Sequence, residues 1–385
     1  MSEAIANPML RVMAVEAHKI TAVIVTHTDH DFVDLAIKAT ADSSAKVHEV
    51  SMTRTTPSRP VDIDAVFPEL RLHVAKATRL HPRPGSPAPT DSSVGGPLLW
   101  PADEPWLVCA ASHRKSRGEL LENVRRRRRI LEAAWTRLGS DGRPIGPTDE
   151  ERDELNALNK RGNYAPELGD DAQIPMLPVL QIFQRDIPGL NFPDGSDLLQ
   201  ILWCPFDAHG AEKKVDVRLV WRNSTSIHES LSMAPQLKVV GRAGYVPEPC
   251  LLDPEEILEH QAFELLPEDL QESLEGWEDW EDEEAPHYQY DLSVAPGWKA
   301  GGFAFWHLTG PREMLCDCGA PMRLLVTVDS KEWDNGSLSW RPVEDAGNSA
   351  YGLSKPTQVV VGRAGALRIF VCTLDVSHPH RTSEQ

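Results

Sequence analysis

Short apolar runs recur along the chain from about residue 52 onward and predict many β-strands. The segment 214–221 alternates apolar and polar residues, as a half-buried strand does. The segments LLQILWC (198–204) and ALRIFVC (366–372) also predict strands, and LLVTV (324–328) predicts a short buried strand. The Asn-Gly pair at 335–336 predicts a hairpin turn between VTVDSKEW and SLSWRPV. The pattern favours short strands joined by turns, which the 31 prolines of the chain also indicate.

Helical periodicity interrupts these strands in three places. From about residue 119 to 138, one helical face collects five apolar side chains: Leu120, Val124, Leu131, Trp135 and Leu138. A second helix is expected to begin at Thr148, because the residue three positions later is a glutamate and completes a capping box. The acidic segment 266–280 is the third, with Trp277 and Trp280 on one face that is expected to dock on the sheet. The alternative is that this face is an exposed site for a partner.

Three blocks occur in the same order in two parts of the chain and indicate an internal duplication. GGPLLW at 95–100 matches GGFAFW at 301–306, and PMLPVLQI matches PMRLLVTV. A strand pattern that ends at Cys204 matches one that ends at Cys372. The first two blocks lie much farther apart in the first copy, so 110–174 is interpreted as a helical insertion. VVGRAG also occurs twice and is interpreted as a glycine turn, since neither copy opens a helix that could hold phosphate.

These elements predict an α+β fold, mainly antiparallel β: an internally duplicated β scaffold with peripheral helices. Residues 52–242 would form its first half, 243–290 an acidic helical connection, and 291–385 its second half. Residues 1–51 lack tryptophan, and MTRTTPSRP reads like a natural start. We therefore interpret 1–51 as an upstream extension or a loosely attached segment.

That first segment contains THTDHD at 26–31, which resembles the zinc loop of metallo-β-lactamases. His27 and His30 are three residues apart, whereas that loop places them two apart, and a binuclear site needs fixed ligand geometry. A solvated turn after a short strand is the favoured interpretation.

The two Gly-Gly blocks share only their glycines and one tryptophan. Gly95, Gly96, Gly301 and Gly302 are interpreted as a tight turn or bulge at the start of each half, because glycine tolerates such backbone conformations. Trp100 and Trp306 are then expected to be core anchors. The alternative is that both copies line one shared cleft.

Each half also offers four potential metal ligands at corresponding places. The first set is Cys109, His113, Cys204 and His209, and the second is Cys316, Cys318, Cys372 and His378. Four Cys or His side chains are what a structural zinc ion needs. Simple packing of thiols is the alternative, since a buried cysteine often acts as a small apolar residue. We recognise no constellation of catalytic residues.

Charge and composition limit the function further. The formal net charge of −19 disfavours nucleic acid as a partner. The helix predicted at about 119–138 contains five consecutive arginines, Arg125, Arg126, Arg127, Arg128 and Arg129. The chain from 243 to 298, in contrast, is acidic and has no Lys or Arg. We expect these two regions to neutralise each other in part. The longest early apolar run, 20–25, is too short for a signal peptide or a membrane span, so a cytoplasmic location is expected.

Several stretches of the chain resemble the YwqG-like family of bacterial proteins, a domain of unknown function, and its actinobacterial branch in particular. They include VFPELRLHVAKATRLHPRPGSP, SSVGGPLLWPADEPW, DLLQILWCPFD, CGAPMRLLVTVDSKEWD and GRAGALRIFVC, and the resemblance covers most of 66–374. Members tend to carry C-x-x-C before G-x-P-M and a cysteine after the last strand. This chain has Cys316-x-Cys318 and no cysteine after Cys372. The resemblance brings no established catalytic residues, but the association of some members with toxin–immunity loci implies protein binding.

The sequence therefore predicts a cytoplasmic, non-enzymatic interaction module of immunity or stress-accessory type. Its acidic surface suits a basic protein partner, because complementary charge speeds association and selects partners. Two alternatives stay open: a metal-dependent hydrolase with a site between the halves, and a nucleic-acid-associated protein that uses the arginine helix.

Overall fold

Two six-stranded antiparallel sheets form the centre of the structure, which is a computed structural model. It describes residues 54–115, 118–159, 168–207, 209–210, 214–282, 285–306 and 310–385. The predictions for 1–51, including those for His27 and His30, lie outside the described residues. Within the rest of the chain, Met52–Gln385 forms one compact unit.

The sheets are built from strands of two to eight residues. In chain order the strands are β1 (Val74–Arg79), β2 (Arg83–Pro84), β3 (Ser93–Val94), β4 (Val108–Cys109), β5 (Glu119–Leu120), β6 (Ile174–Pro175), β7 (Leu177–Phe183), β8 (Leu198–Trp203), β9 (Val217–Arg222), β10 (Val239–Val240), β11 (Cys250–Leu251), β12 (Glu255–His260), β13 (Lys299–Gly301), β14 (Met322–Asp329), β15 (Ala366–Cys372) and β16 (Arg381–Glu384). Sheet I has the order β2-β11-β3-β7-β8-β9, and sheet II has the order β12-β1-β13-β14-β15-β16. Two further pairs, β4-β6 and β5-β10, form small ribbons.

Helices are few and lie outside the sheets. They are α1 (Ile63–Val66), α2 (Leu121–Thr136), α3 (Asp149–Asn159) and α4 (Glu268–Trp277). Shorter 3₁₀ turns are Pro68–Leu72, Ser224–Ser226, Ala243–Tyr245, Phe263–Leu265, Leu338–Trp340 and Val343–Asp345, and Tyr288–Ser293 forms a π-helical turn. The fold is therefore α+β with mainly antiparallel β structure, as the sequence predicts. None of the helices in the described part of the chain has the length and apolar character needed to cross a bilayer.

The duplication is visible in the strand order of the two sheets. The run β3-β7-β8-β9 of sheet I has the same arrangement as β13-β14-β15-β16 of sheet II. The register agrees as well, because Gln181 pairs with Gln200 in the first half and Thr327 pairs with Arg368 in the second. Each half also has one shift in strand register, of the kind that a β-bulge produces, at the corresponding point. It lies at 178–180 in β7 and at 324–326 in β14. Matching bulges at matching positions support a common origin of the halves.

The first strands of the two halves are exchanged between the sheets. Strand β1 pairs with β13 in sheet II, and the chain then enters sheet I as β2. In the second half, β11 pairs with β3 in sheet I, and the chain then enters sheet II as β12. Each sheet thus contains strands from both halves. The predicted helical connection 243–290 contributes β11 and β12 before it reaches α4.

One large apolar core joins the two sheets. Alternation along each strand explains it, because Leu199, Ile201 and Trp203 of β8 lie in this core together with Leu367, Ile369 and Val371 of β15. The intervening residues of both strands therefore face outward. Smaller clusters cover these outer faces, one around Trp100 in the first half and one around Trp306 in the second.

Two of the three helix predictions need correction in detail. Helix α2 buries Leu121, Val124, Ile130 and Ala134, whereas Trp135 and Leu138 are exposed. Of the predicted face, Val124 is correct, three members lie one position away from a buried residue, and Leu138 lies beyond the end of the helix. Helix α4 ends at Trp277, so Trp280 leaves the helix and stacks on His287 at 3.9 Å between ring centroids.

The capping box was predicted correctly, and the hairpin was not. Thr148 donates its backbone N–H to Glu151 Oε2 at 2.9 Å, and the backbone N–H of Glu151 donates to Thr148 Oγ1 at 3.2 Å. At the Asn-Gly pair, β14 has already ended at Asp329, and a 3₁₀ turn follows. Asp334 Oδ1 accepts hydrogen bonds from Gly336 N and Ser337 Oγ, so a side chain organises this turn instead of a partner strand.

Candidate metal centres

Each Gly-Gly turn reverses the chain over the outer face of its own half. Gly95 has φ 62°, and a Cβ there would lie 2.8 Å from Pro247 Cβ. Gly301 and Gly302 have φ 68° and 70°, and a Cβ on Gly302 would lie 2.6 Å from Ala77 Cβ. Glycine is required at such positions because side chains have neither the space nor the backbone conformation. A Cβ on Gly96 would likewise lie 2.5 Å from the ring of Pro87.

The tryptophan that follows each turn is buried against the outer face. Trp100 is fully buried beside Trp106, and Trp306 is 5% exposed and stacks near Phe370. From these anchors the chain runs on to Cys109 in the first half and to Cys316 in the second. The turn and the anchor therefore carry the first cysteine of each predicted ligand set towards the end of the central strand.

In the first half, the structure brings Cys109, His113, Cys204 and His209 together, with one ligand atom of each within 4.8 Å of the others. Cys109 Sγ lies 3.5 Å from His113 Nε2 and 3.3 Å from His209 Nε2. Cys204 Sγ lies 3.5 Å from His113 Nε2. Cys109 is the last residue of β4, and Cys204 directly follows β8 on its outward-facing side. We call these four residues the first cluster.

Neighbouring groups orient the imidazoles of the first cluster. His209 Nδ1 lies 3.2 Å from the carbonyl oxygen of Lys214, which is a hydrogen-bond acceptor. Nδ1 must therefore carry the proton, and Nε2 keeps a free lone pair towards Cys109. The ring of His113 stacks on Phe206 at 5.0 Å between centroids. Both imidazoles thus present Nε2 to the sulfur atoms, which is the orientation that a metal ligand needs.

Burial controls the protonation of the first cluster. It raises the pKa of the Cys204 thiol well above its usual range. Burial also lowers the pKa of His113, and the neighbouring His209 adds to this lowering. Neutral imidazoles suit a metal, but the thiol must lose its proton when a cation binds. Metal binding at this cluster should therefore release protons.

The second half assembles Cys316, Cys318, Cys372 and His378, again with one ligand atom of each within 4.8 Å of the others. Cys316 Sγ lies 3.5 Å from His378 Nδ1, and Cys318 Sγ lies 3.6 Å from Cys372 Sγ. The three cysteines of this group form no disulfide and are free thiols. We call these residues the second cluster.

A tight turn explains how a C-x-C spacing places two sulfur atoms in one cluster. The backbone N–H of Cys316 donates to Ala320 O at 2.9 Å, and the N–H of Gly319 donates to Cys316 O at 2.9 Å. Gly319 has φ 85°, which lets the chain reverse immediately after Cys318. Cys372 ends β15, and His378 follows in a turn closed by its N–H to Asp375 O.

The second cluster lies nearer to solvent than the first. Cys318 is exposed, whereas Cys109, His113 and Cys204 are all buried. Burial alone would raise the pKa of Cys372, but the backbone N–H groups of Asp375 and Leu374 and the side chains of His378 and Cys318 lower it to about 6. A lowered pKa favours the thiolate of Cys372, which is the form that binds a cation.

The contacts within hydrogen-bonding range in the two clusters are close to the edges of a tetrahedral zinc site, and the remaining pairs of ligand atoms lie within 4.8 Å. With Zn–S bonds of about 2.3 Å and Zn–N bonds of about 2.05 Å, a tetrahedron has S···N edges of about 3.6 Å and S···S edges of about 3.8 Å. The observed S···N separations are 3.3 and 3.5 Å, and the S···S separation is 3.6 Å. Within the described residues, neither four-residue group includes a carboxylate. The donor types, Cys₂His₂ and Cys₃His, are those of structural zinc sites.

The arginine helix is bound to the rest of the molecule. Arg128 donates to Glu248 Oε1 at 2.7 Å and to the carbonyl oxygens of Ala243 and Gln358. Arg126 pairs with Glu154 at 2.7 Å, and Arg127 pairs with Glu119. Glu248 belongs to the acidic region 243–298, so part of the predicted neutralisation is present.

Sequence reasoning missed two features. The first is the carbonyl of Lys214 behind His209, because a backbone acceptor leaves no signal in the sequence. The second is a cavity of about 330 Å³ on the outer face of sheet II, part of whose wall is Arg368. A signal for it existed, since Arg368 interrupts the otherwise apolar strand ALRIFVC.

Comparison of the chain with protein-family models and with curated proteins gave no match. The resemblance to the YwqG-like family therefore stays a prediction from the quoted motifs.

Proposed function

We propose that this protein is a non-enzymatic binding scaffold in which each half is held by one structural zinc ion. The first cluster would bind one ion, and the second cluster would bind the other. The observation that carries the proposal is that eight residues from matching places in two repeats form two groups of four ligand atoms, each group within 4.8 Å. Metal binding is favoured over simple packing of thiols because each group brings together four Cys or His ligand atoms, the number that a structural zinc ion needs.

The orientation of the histidines supports metal ligation over packed thiols. A metal-binding histidine usually donates its second ring nitrogen to a carbonyl or carboxylate, which fixes the tautomer. His209 has this arrangement with Lys214 O at 3.2 Å. A histidine that merely filled the core would not need its Nε2 lone pair aimed at Cys109 Sγ, 3.3 Å away.

The number of ligands supports a structural role over a hydrolytic one. Catalytic zinc usually has three protein ligands and keeps one position for water or substrate. Each cluster supplies four Cys or His ligands, which would complete a tetrahedron. The hydrolase alternative would need one of these ligands to leave, so the scaffold is the better-supported function.

Zinc at these positions would fasten the outer loops to the sheets. The first ion would link the β4 ribbon and the bridge between His209 and Lys214 to the end of β8. The second would link the turn at 316–320 to the end of β15. Metal binding would thus contribute directly to the free energy of folding.

A basic protein partner is the binding role that we propose for this scaffold. The net charge of −19 supports it, as does the engagement of Arg126, Arg127 and Arg128 by carboxylates of the same chain. Cross-linking in native lysate at low and high salt would test it. Basic partners that are lost at high salt support the proposal, whereas neutral or acidic partners that persist would contradict it.

Metal analysis of the purified protein tests the zinc sites. We expect two equivalents of zinc, one equivalent in Cys204→Ser, and one in Cys316→Ser. Cys250→Ser is the matched control, because Cys250 is buried and belongs to neither cluster, and it should keep both equivalents. A zinc content that is the same in all four proteins would refute the assigned ligands.

A further inference from the structure

Three neighbouring strands place polar side chains in a row on the outer face of sheet II. Lys299 of β13 pairs with Thr327 of β14, and Thr327 pairs with Arg368 of β15. Residues directly opposite each other in antiparallel strands project from the same face. All three are buried, with Lys299 and Arg368 only 1% exposed. Such a buried row of polar groups needs hydrogen-bond partners.

The first half shows how the same positions can be satisfied inside the protein. Gln181 and Gln200 correspond there to Thr327 and Arg368. Gln181 Oε1 accepts from the backbone N–H of Leu99 at 2.8 Å and from Gln200 Nε2 at 2.9 Å. Gln200 Nε2 also donates to Leu99 O at 2.9 Å. The two amides therefore bind the segment between the Gly-Gly turn and its tryptophan.

The second half does not provide such partners for Arg368. Within the described residues, its Nε, Nη1 and Nη2 have no hydrogen-bond partner, and neither has Thr327 Oγ1. The guanidinium lies over the ring of Trp306, with Cζ 4.9 Å from the centroid. A buried charge without hydrogen bonds is costly in free energy. The first half satisfies these buried polar groups within the protein, whereas the described residues of the second half leave them without partners. This difference points to a ligand in the second half.

The other charged groups beside Arg368 are already engaged. Lys299 Nζ donates to Phe303 O at 2.8 Å and forms an ion pair with Glu259. Asp329 accepts from Gly297 N at 3.1 Å and from Lys331 N at 3.2 Å, and not from Arg368. Lys331 of the cavity wall pairs with Asp334 at 2.6 Å. Among the described residues of this face, Arg368 is therefore the cation whose nitrogens are left for an incoming anion, although Asp329 is near enough to balance part of its charge.

The cavity of about 330 Å³ gives such an anion room and access. Buried Lys299, Thr327 and Arg368 line its inner part, whereas Tyr290 and Ala364 at its edge are exposed. Phe305 and Trp333 add aromatic wall. A cavity of this size, apolar with a few polar groups that converge, is typical of a small-molecule site.

We propose that this cavity binds a small organic carboxylate, which pairs with the Arg368 guanidinium while its apolar part lies against Phe305 and Trp333. The planar guanidinium matches a carboxylate by two parallel hydrogen bonds. Thr327 Oγ1 supplies a further donor at the same depth. The site uses no residue of either metal cluster, so loss of zinc and loss of carboxylate binding are separate outcomes.

Titration with benzoate, followed by tryptophan fluorescence and calorimetry, tests this site. Benzoate should bind saturably, whereas benzamide, which has a similar shape and no charge, should bind much more weakly. Arg368→Gln, which installs the residue of the first half, should weaken benzoate binding by roughly tenfold or more, since a charge-assisted hydrogen bond contributes more than one decade. Arg218→Gln removes the same charge at an exposed site and should leave binding unchanged.

Three results would overturn the proposal. They are equal binding of benzoate and benzamide, equal benzoate affinity in Arg368→Gln and the native chain, and saturable binding of inorganic phosphate without binding of benzoate. If Arg368→Gln does not fold, the double variant Thr327→Gln/Arg368→Gln restores the amide pair of the first half. That variant should fold, keep two zinc equivalents and lose benzoate binding, and retained binding would be decisive against the site.

Discussion

Cys109 Sγ lies 3.3 Å from His209 Nε2, although the two residues are 100 positions apart in the chain. The contact exists because the Gly-Gly turn and Trp100 return the chain to the end of β8, where Cys204 and His209 follow. The second half repeats the arrangement with Cys316 and His378 at 3.5 Å. The two clusters are thus assembled from different local spacings, C-x-x-x-H in one half and C-x-C in the other.

We expect a chelator to remove zinc from the two clusters at different rates. Cys318 of the second cluster is exposed, while the first cluster is mostly buried, so a chelator reaches the second cluster more easily. Zinc release to a chromogenic chelator should therefore show a fast and a slow phase of equal amplitude. Cys318→Ser should abolish the fast phase and Cys204→Ser the slow one. A single phase in the native protein would contradict this assignment.

Gly302→Ala should destabilise the protein by about 2 kcal/mol or more. Gly302 has φ 70°, and a Cβ there would lie 2.6 Å from Ala77 Cβ and still closer to the Glu259 carboxylate. Denaturant unfolding measures the change. Gly310→Ala is the control, because a Cβ at that position has nothing within 4 Å, and it should change stability by less than about 0.5 kcal/mol. Equal effects at both sites would mean that the turn tolerates a side chain.

Arg128→Met should cost more stability than Arg126→Met. Arg128 is largely buried and donates to Glu248 and to two backbone carbonyls, which would lose their partner. We expect a loss of about 1–3 kcal/mol. Arg126 forms an exposed pair with Glu154, which solvent screens, so its loss should cost much less stability. Thermal unfolding of both variants checks this order, and the reverse order would show that α2 is not anchored through Arg128.

Glu332 should make stability fall as pH rises towards neutrality. Burial, opposed by the guanidinium groups of Arg79 and Arg83, raises the pKa of Glu332 to about 7 from an ordinary value of 4.5. Between these two values the folded chain binds more protons than the unfolded chain, so the free energy of unfolding decreases with rising pH. The loss should be on the order of 1–3 kcal/mol between pH 4.5 and 7.5.

Unfolding of Glu332→Gln across that pH range tests this slope. The variant keeps a neutral side chain of the same size, so it should show a shallower decrease and gain stability over the native chain as pH rises. Part of the decrease should remain below about pH 6, because burial also raises the pKa of Asp329 to about 6. Glu344→Gln is the control, because the pKa of the partly exposed Glu344 is lowered and that carboxyl titrates below the range. An unchanged slope in Glu332→Gln would place the titration elsewhere.

The sequence predicted the eight clustered residues because cysteines and histidines recur at fixed places relative to matched strands. Strand alternation then puts Cys204 and Cys372 on the outer faces, which needs no knowledge of tertiary contacts. Trp280 was misplaced because the end of α4 depends on local hydrogen bonds, not on periodicity. The buried polar row formed by Arg368 and Thr327 was missed. A strand pattern shows that a residue is buried, but not whether its polar atoms find hydrogen-bond partners. The exchange of β1 and β11 was also missed, because pairing over such distances leaves no local pattern.

That exchange has a consequence for how the molecule came to be one chain. Strand β1 of the first half belongs to sheet II, and strand β11 of the second half belongs to sheet I. If the chain were divided between 242 and 243, the main sheet of each half would therefore lack a strand that the other half supplies. An ancestor with a single repeat would have met the same need by donating its first strand to an identical neighbour. Joining the genes of such an intertwined homodimer would give the present topology without any new contact. Two separately produced fragments should accordingly be insoluble alone and recover the native spectrum when they are refolded together.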